Sequence, residues 1–234
     1  MGGELRVEDV KNERGEEVGY IVKRGIWSER SVEECWRVTG KEPMSVRWVD
    51  TNKGTKEKPD VRSRMVGRDF KGGKGRDEDE LFASTPPLEA LRMLMSKAAS
   101  TRKNKRRMRK MLFIDAKKAN LNPLCHEDVY IVLPEEVGAG PGRCGKLVHW
   151  LYGCRPAAQA WETFYSEKME GVGFERGRGS AVVFHHKEKD ISALLHGDDF
   201  VFVGDDEELT WIQELVKSWF EVKIRGRLSR EKEM

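Results

Sequence analysis

Two adjacent aspartates, Asp198 and Asp199, lie in the segment LLHGDDFVFV at residues 194–203, between two apolar runs. The pattern predicts a strand, a tight turn and a second strand, with both carboxylates at the turn. Two neighbouring anions repel each other and lose hydration there, and a divalent cation would relieve both penalties. A third carboxylate, Asp115, ends the apolar run MLFI. The three aspartates therefore indicate a candidate Mg²⁺ site, and a solvated turn is the alternative interpretation of the pair.

The elements that must position these carboxylates form a mixed order of strands and helices. From residue 111 onward the periodicities predict β, β, α, β, β–β, α, β, with helices at residues 157–170 and 205–219 and a Gly-rich loop at 138–145. This order is typical of an antiparallel sheet with helices on one face, the α+β class. Residues 1–40 are charged and weakly patterned, which predicts a peripheral arm.

Charge is distributed unevenly along the chain. Residues 1–110 carry 27 Lys and Arg against 19 Asp and Glu, whereas residues 111–234 carry 16 against 21. A basic first part suits contact with a polyanion, and an acidic second part suits carboxylates gathered around metal ions. Ordinary surface charge is the alternative explanation.

Composition also excludes several classes of protein. No apolar run approaches 18 residues and the N-terminus is polar, so the sequence predicts neither a transmembrane span nor a signal peptide. The four cysteines have no CxxC spacing, which favours free thiols in a reducing compartment over a zinc site or disulfides. We therefore expect an intracellular protein, in a cytoplasmic particle or in the nucleus, that is not secreted.

Seven blocks of the chain resemble, in the same order, motifs of the reverse transcriptase of copia-type long-terminal-repeat retrotransposons. In the first block, WV at 48–49 and RSRMV at 62–66 correspond to the family's W-V and K-A-R-L-V. In the second block, LFASTPP and LRML within 81–94 correspond to T-F-A-P-V and R-L-L. The third and fourth blocks are DAKKANLNP at 115–123 (family D-V-K-T-A-F-L-N-G) and EDVYI at 127–131 (family E-E-V-Y-M). The last three are LYGCRPAAQAW at 151–161 (L-Y-G-L-K-Q-A-P-R-A-W), HGDD at 196–199 (Y-V-D-D) and FEVKIRGRL at 220–228 (F-E-I-K-D-L-G-E-L). The resemblance spans residues 46–228.

The resemblance implies a right-hand polymerase fold of fingers and palm. It divides the chain into a peripheral N-terminal arm at 1–40, a fingers-like region at 41–110 and a palm-like region at 111–234 that stops before the thumb and ribonuclease H. The implied activity is RNA-directed DNA polymerisation, with an RNA or DNA template-primer and deoxynucleoside triphosphates (dNTPs). Two Mg²⁺ ions, or Mn²⁺, would be the cofactors, because such ions stabilise the attacking and leaving oxygens of phosphoryl transfer.

The motif matches also imply roles for individual residues. Asp115, Asp198 and Asp199 match the catalytic, metal-binding carboxylates, and the carbonyl of Ala116 is implied as a further ligand. The residues implied to contact the nucleotide are Arg62, Arg64, Ala116, Asn120, Tyr152 and Gly153. Trp161 is predicted to be a core residue because it lies at helical spacing from Phe164.

Three positions depart from the family motifs. Asn120 replaces the aromatic residue that blocks the 2′-hydroxyl of the sugar, His196 replaces the tyrosine before the aspartate pair, and Ala158 replaces a proline. These departures keep a second hypothesis open, a catalytically dead remnant that binds nucleic acid only. A third hypothesis is a metal-dependent nuclease or phosphatase that uses the same three aspartates.

Overall fold

The computed structural model describes residues 5–55, 57–69, 84–100 and 109–229, so residues 81–83 of the LFASTPP block lie outside the described part. The helices are α1 (Val7–Lys23), α2 (Val32–Thr39), α3 (Leu88–Ala99), α4 (Ala157–Gly171) and α5 (Asp206–Trp219). The strands are β1 (Trp27–Ser31), β2 (Val46–Asn52), β3 (Val61–Gly67), β4 (Lys110–Ala116), β5 (Tyr130–Ile131), β6 (Arg143–Leu147), β7 (Phe174–Gly177), β8 (Ser180–His186), β9 (Ile191–His196), β10 (Asp199–Gly204) and β11 (Val222–Leu228). None of these helices combines the length and apolar character needed to cross a membrane.

The chain divides into two compact units, each made of two segments. The first unit contains Met1–Asp77 and Asn120–Ala160, and the second contains Glu78–Ala119 and Trp161–Met234. The sequence-based division assigned residues 120–160 to the palm-like region, whereas here they pack with the N-terminal segment. The division into arm, fingers and palm stays a prediction.

The first unit contains two small sheets and a helix that packs against one of them. β2 and β3 form an antiparallel hairpin, and β1, β6 and β5 form a three-stranded sheet. α1 packs against β3 through one buried stripe, which includes Val18 and Ile21. Ile21 of α1 therefore lies in the core of this unit.

The second unit is built on a six-stranded antiparallel sheet with the order β11-β4-β10-β9-β8-β7. α4 and α5 cover one face through Trp161, Tyr165, Ile212 and Val216. Mixed helices and antiparallel strands confirm the α+β class.

The two helices predicted after residue 111 lie on one face of this sheet, as expected, whereas α3, which precedes residue 111, covers the other face. Ala90 and Leu94 of α3 pack against Met111, Leu194 and Val203, which belong to the face opposite α4 and α5. The physical reason is the composition of the central strands. The MLFI run of β4 is apolar on both of its alternating faces, so both faces must be covered.

An ion cluster joins α3 to the turn between β8 and β9. Asp190 accepts hydrogen bonds from Lys97 Nζ at 3.0 Å and from Arg109 at 2.9 Å. Burial by itself would raise the pKa of Asp190, but the hydrogen bonds and charges of Arg109 and Lys97 lower it to about 2. This carboxylate therefore stabilises the fold above its unfolded pKa near 3.8, and the contribution is lost as the pH falls toward 2.

We expect Asp190→Asn to lower the free energy of unfolding by about 1 kcal/mol at pH 6, a value reduced for the partial exposure of the pair. The difference from the parent chain should fall to about half near pH 3. Asparagine tolerates the φ of 47° found at this position, so the backbone does not confound the comparison. Urea unfolding at the two pH values measures the effect, and an equal difference at both would refute the assigned pKa.

Candidate functional site

The β9–β10 hairpin brings its aspartates to the end of β4. His196 and Asp199 pair across the hairpin, which leaves Gly197 and Asp198 as a two-residue turn. Gly197 has φ 57°, a conformation that favours glycine. Asp199 also pairs in register with Asp115 on β4. The structure therefore places all three aspartates at one end of the sheet.

Two hydrogen bonds hold the backbone of this turn. The amide of Ala116 donates to the carbonyl of Asp198 at 2.7 Å. The indole Nε1 of Trp161 donates to the carbonyl of Gly197, also at 2.7 Å. Trp161 is 1% exposed and its ring stacks on that of Phe200. Its predicted burial is confirmed, but its contact with the turn was missed because no local sequence pattern reports it.

We expect Trp161→Phe to loosen the turn while keeping an aromatic ring in the core. A hydrogen bond of this kind contributes about 1 kcal/mol net, so the turn should open about fivefold more often. Hydrogen–deuterium exchange at the amide of Ala116 should accelerate by the same factor. Trp219→Phe makes the same change at a half-buried tryptophan of α5 and should leave that amide unchanged. Equal exchange in Trp161→Phe and the parent chain would contradict this role.

The three carboxylates influence one another electrostatically. Partial burial raises the pKa of Asp199, and the charges of Asp198 and Asp115 raise it further. Arg225 and His196 act in the opposite direction. A raised pKa is expected where carboxylates lie close together, because each charge disfavours the next. Added positive charge would therefore be accommodated favourably at this end of the sheet.

Arg225 already supplies one positive charge to the site. Its guanidinium donates a hydrogen bond to Oδ2 of Asp115, in an ion pair whose arginine is about half exposed. Nothing in the sequence pattern predicted this contact, since the two residues are 110 positions apart.

A cavity of about 470 Å³ in the second unit adjoins this site. His196, Asp199 and Arg225 form its polar part, while most of its wall is apolar and includes Leu88 and Phe113. Asp199 therefore borders a largely apolar space, where charge interactions are stronger than in open solvent.

The donor atoms here fit the chemistry of a hard divalent cation. Asp115, Asp198 and Asp199 offer carboxylate oxygens, the ligands that Mg²⁺ and Mn²⁺ prefer. Among the described residues, however, no three His, Cys, Asp or Glu side chains are already arranged as a metal-binding group. The metal-binding role of these aspartates and of the Ala116 carbonyl stays a prediction.

The predicted nucleotide contacts of the first unit form a second group. Arg62 and Arg64 alternate with buried residues of β3 and so project from the same face of the hairpin. The guanidinium of Arg64 lies 5.3 Å from the ring centre of Tyr152, within range of a cation–π interaction. Burial raises the pKa of Tyr152, although the charges of Arg64 and Arg62 oppose that shift. The structure thus brings three of the predicted residues together.

The turn after Tyr152 requires glycine. The amide of Gly67 donates to the carbonyl of Tyr152 at 2.7 Å, so this turn lies directly against the end of β3. Gly153 has φ 80°, and a Cβ added there would lie 2.3 Å from the carbonyl oxygen of Gly67. Both the backbone conformation and the space therefore exclude larger residues.

Asn120 lies in a short 3₁₀ turn, Ala119–Leu121, and is half-buried. It belongs to the first unit, whereas Ala116 and the three aspartates belong to the second. The roles assigned to Asn120, Tyr152, Gly153 and the two arginines stay predictions.

Comparison with known proteins supplies the family. Residues 34–231 match the family model described as "Reverse transcriptase (RNA-dependent DNA polymerase)". The chain is also 27% identical over 202 residues to the "Retrovirus-related Pol polyprotein from transposon TNT 1-94" of Nicotiana tabacum. That alignment covers 83% of this chain but 14% of the polyprotein, so the chain spans a small part of its relative. The matches confirm the resemblance to copia-type reverse transcriptases that the motifs indicated.

Proposed function

The chain belongs to the family of reverse transcriptases (RNA-dependent DNA polymerases), and from this premise we propose that it is the polymerase domain of a retrotransposon Pol polyprotein. Its reaction would be nucleotidyl transfer from a dNTP to the 3′-hydroxyl of a primer, on an RNA or DNA template. The right-hand arrangement of fingers and palm is part of the same proposal.

The observation that carries this proposal is the pairing of Asp199 with Asp115 across adjacent strands. The hydrogen bond from Ala116 to the backbone of Asp198 supports it, because it fixes the turn beside β4. Three carboxylates on two strands and one turn suit a reaction in which positioning and charge neutralisation supply most of the rate.

Asp115, Asp198, Asp199 and the carbonyl of Ala116 would hold two divalent cations, which when bound neutralise charge that develops on the reacting phosphate oxygens. Asp199 borders the apolar cavity and its pKa is raised by partial loss of hydration, and a carboxylate in this state gains more from a nearby cation.

In the first unit, Arg62 and Arg64 would provide positive charge for the triphosphate. Their common face on β3 and the contact of Arg64 with Tyr152 support a shared role. Gly153 would allow close approach of backbone at this point, because glycine has no side chain to obstruct it.

Primer extension tests the proposal directly. The chain should extend a labelled primer on an RNA template, and on a DNA template, when given dNTPs and Mg²⁺ or Mn²⁺. Template binding without extension would favour the second candidate, a catalytically dead remnant. The ion pair of Asp115 with Arg225 also favours that candidate. Hydrolysis of nucleic acid without added dNTPs would instead indicate a nuclease.

Asn120 leads to a prediction about substrate choice. Asparagine is smaller than the aromatic residue of the family motif and can hydrogen-bond a 2′-hydroxyl. We therefore expect ready use of ribonucleotides, and Asn120→Phe should restore their exclusion by about 10- to 200-fold. The ratio of kcat/KM for a dNTP and the matching ribonucleotide measures this. If the parent chain already excludes ribonucleotides as strongly as Asn120→Phe, another residue acts as the gate.

A further inference from the structure

We propose that Arg225 competes with divalent cations for the carboxylate of Asp115 and so sets the metal concentration that this site requires. The inference rests on the proposed function, because it assumes that Asp115 is a metal ligand. It concerns a residue whose role neither the family motif nor the comparisons assign.

A β-bulge places Arg225 beside the aspartates. Along the β11–β4 ladder, Lys223 pairs with Asp115 and Ile224 with Ile114, but the next pair is Gly226 with Phe113. Arg225 is therefore the additional residue of the bulge. Bulges redirect side chains and are frequent next to active sites. Here the bulge places a guanidinium on a carboxylate of the neighbouring strand.

Arg225 acts on more than one of the carboxylates. It borders the same cavity as Asp199 and His196. Its charge also opposes the raised pKa of Asp199. The guanidinium thus supplies, from one side, part of the positive charge that a metal ion would bring to the same oxygens.

The exposure of the Arg225–Asp115 ion pair allows a divalent cation to replace the guanidinium. The side chain of Arg225 is 53% exposed and that of Asp115 is 19% exposed. Ion pairs with one partner in solvent are weak, and a free guanidinium is readily hydrated. A divalent cation can therefore displace Arg225 from Asp115. The apparent affinity of the site for that cation is then weaker, because the ion pair must be broken first.

Binding of Mn²⁺ alone to the full chain tests this inference, with the free ion measured by electron paramagnetic resonance. Arg225→Leu installs the residue of the family motif and should tighten Mn²⁺ binding about three- to tenfold. Arg225→Gln is a second variant that retains a polar side chain and should act in the same direction. Circular dichroism and Tm establish that each variant is folded.

Lys223→Leu is the matched control, because it removes one positive charge from the same strand. Lys223 pairs with Asp115 through the backbone, and its ammonium forms no ion pair with that carboxylate in the described structure. Its effect on Mn²⁺ affinity should be smaller than that of Arg225→Leu, because the ammonium acts on Asp115 only through space and is exposed to solvent. Equal affinities of Arg225→Leu and the parent chain, or equal gains in Arg225→Leu and Lys223→Leu, would overturn the inference.

Asp199→Asn in the Arg225→Leu background separates this inference from the proposed function. Loss of Mn²⁺ binding in that double variant locates the metal at the aspartates, whatever the effect of Arg225. Unchanged binding would overturn the metal site itself, and with it the proposed two-metal reaction.

Discussion

Asp199→Asn is expected to abolish primer extension and, at the same time, to leave the protein slightly more stable than the parent chain. Polymerisation should fall by at least about 10²- to 10³-fold, the loss seen when a group that stabilises transition-state charge is removed. The amide is nearly isosteric with the carboxylate but carries no charge to hold a divalent cation. Asp198→Asn should produce the same loss of extension.

The gain in stability follows from the raised pKa of Asp199. A carboxyl group whose pKa is higher in the folded state than in the unfolded state destabilises the fold at neutral pH, and this penalty disappears as the pH falls below the unfolded pKa. Asp199→Asn should therefore raise Tm at pH 7, and the difference should vanish near pH 3. Opposite changes in activity and Tm would distinguish loss of function from loss of fold.

Glu175→Gln is the matched control for this experiment. Glu175 is an exposed carboxylate on β7, the edge strand opposite β11 in the same sheet. Its neutralisation should change neither extension nor Tm. Full extension by Asp199→Asn and Asp198→Asn would exclude the aspartate site as the centre of catalysis.

Gly153→Ala is expected to destabilise the first unit by about 3 kcal/mol or more. The new Cβ would lie 2.3 Å from the carbonyl oxygen of Gly67 and 2.4 Å from Cγ1 of Val66. The backbone oxygen belongs to β3 and cannot move without disturbing the β2–β3 hairpin. The positive φ adds about 1 kcal/mol for any residue with a Cβ, and overpacking adds typically 1–3 kcal/mol.

Two other glycines separate these contributions. Gly40 has φ 65° but nothing within 4 Å of an added Cβ, so Gly40→Ala isolates the cost of backbone conformation. Gly19 lies inside α1, also with open space around it, and Gly19→Ala should stabilise the protein by up to about 1 kcal/mol. Urea unfolding should rank the variants with Gly153→Ala least stable. Equal losses for Gly153→Ala and Gly40→Ala would contradict the close contact with β3.

Elements with a strong local pattern could be predicted from the sequence. The helix expected at 157–170 is Ala157–Gly171, and the strands around the aspartate pair form a hairpin as expected. Apolar periodicity and turn-forming residues are local properties, so they are already present in the order of the amino acids.

Elements without such a pattern were missed. α1 is 17 residues long, yet its buried side chains are Glu17, Val18 and Ile21, too few to produce a clear helical period. β6 begins in the segment predicted as a Gly-rich loop. It is a strand because β1 and β5 supply backbone partners on both sides. Hydrogen bonds from distant segments decided its conformation, and no local propensity reports them.

The sequence by itself determined which residues are available for chemistry at this site, since the Asp-Asp pair and Asp115 are recognised by their strands and by the family motifs. The tertiary structure decided the register that sets Asp199 opposite Asp115 and the bulge that brings Arg225 to it. It also decided that Trp161 holds the turn from 36 positions away. Local periodicity determines which face of each strand is buried, but the alignment of distant strands depends on how the whole core packs.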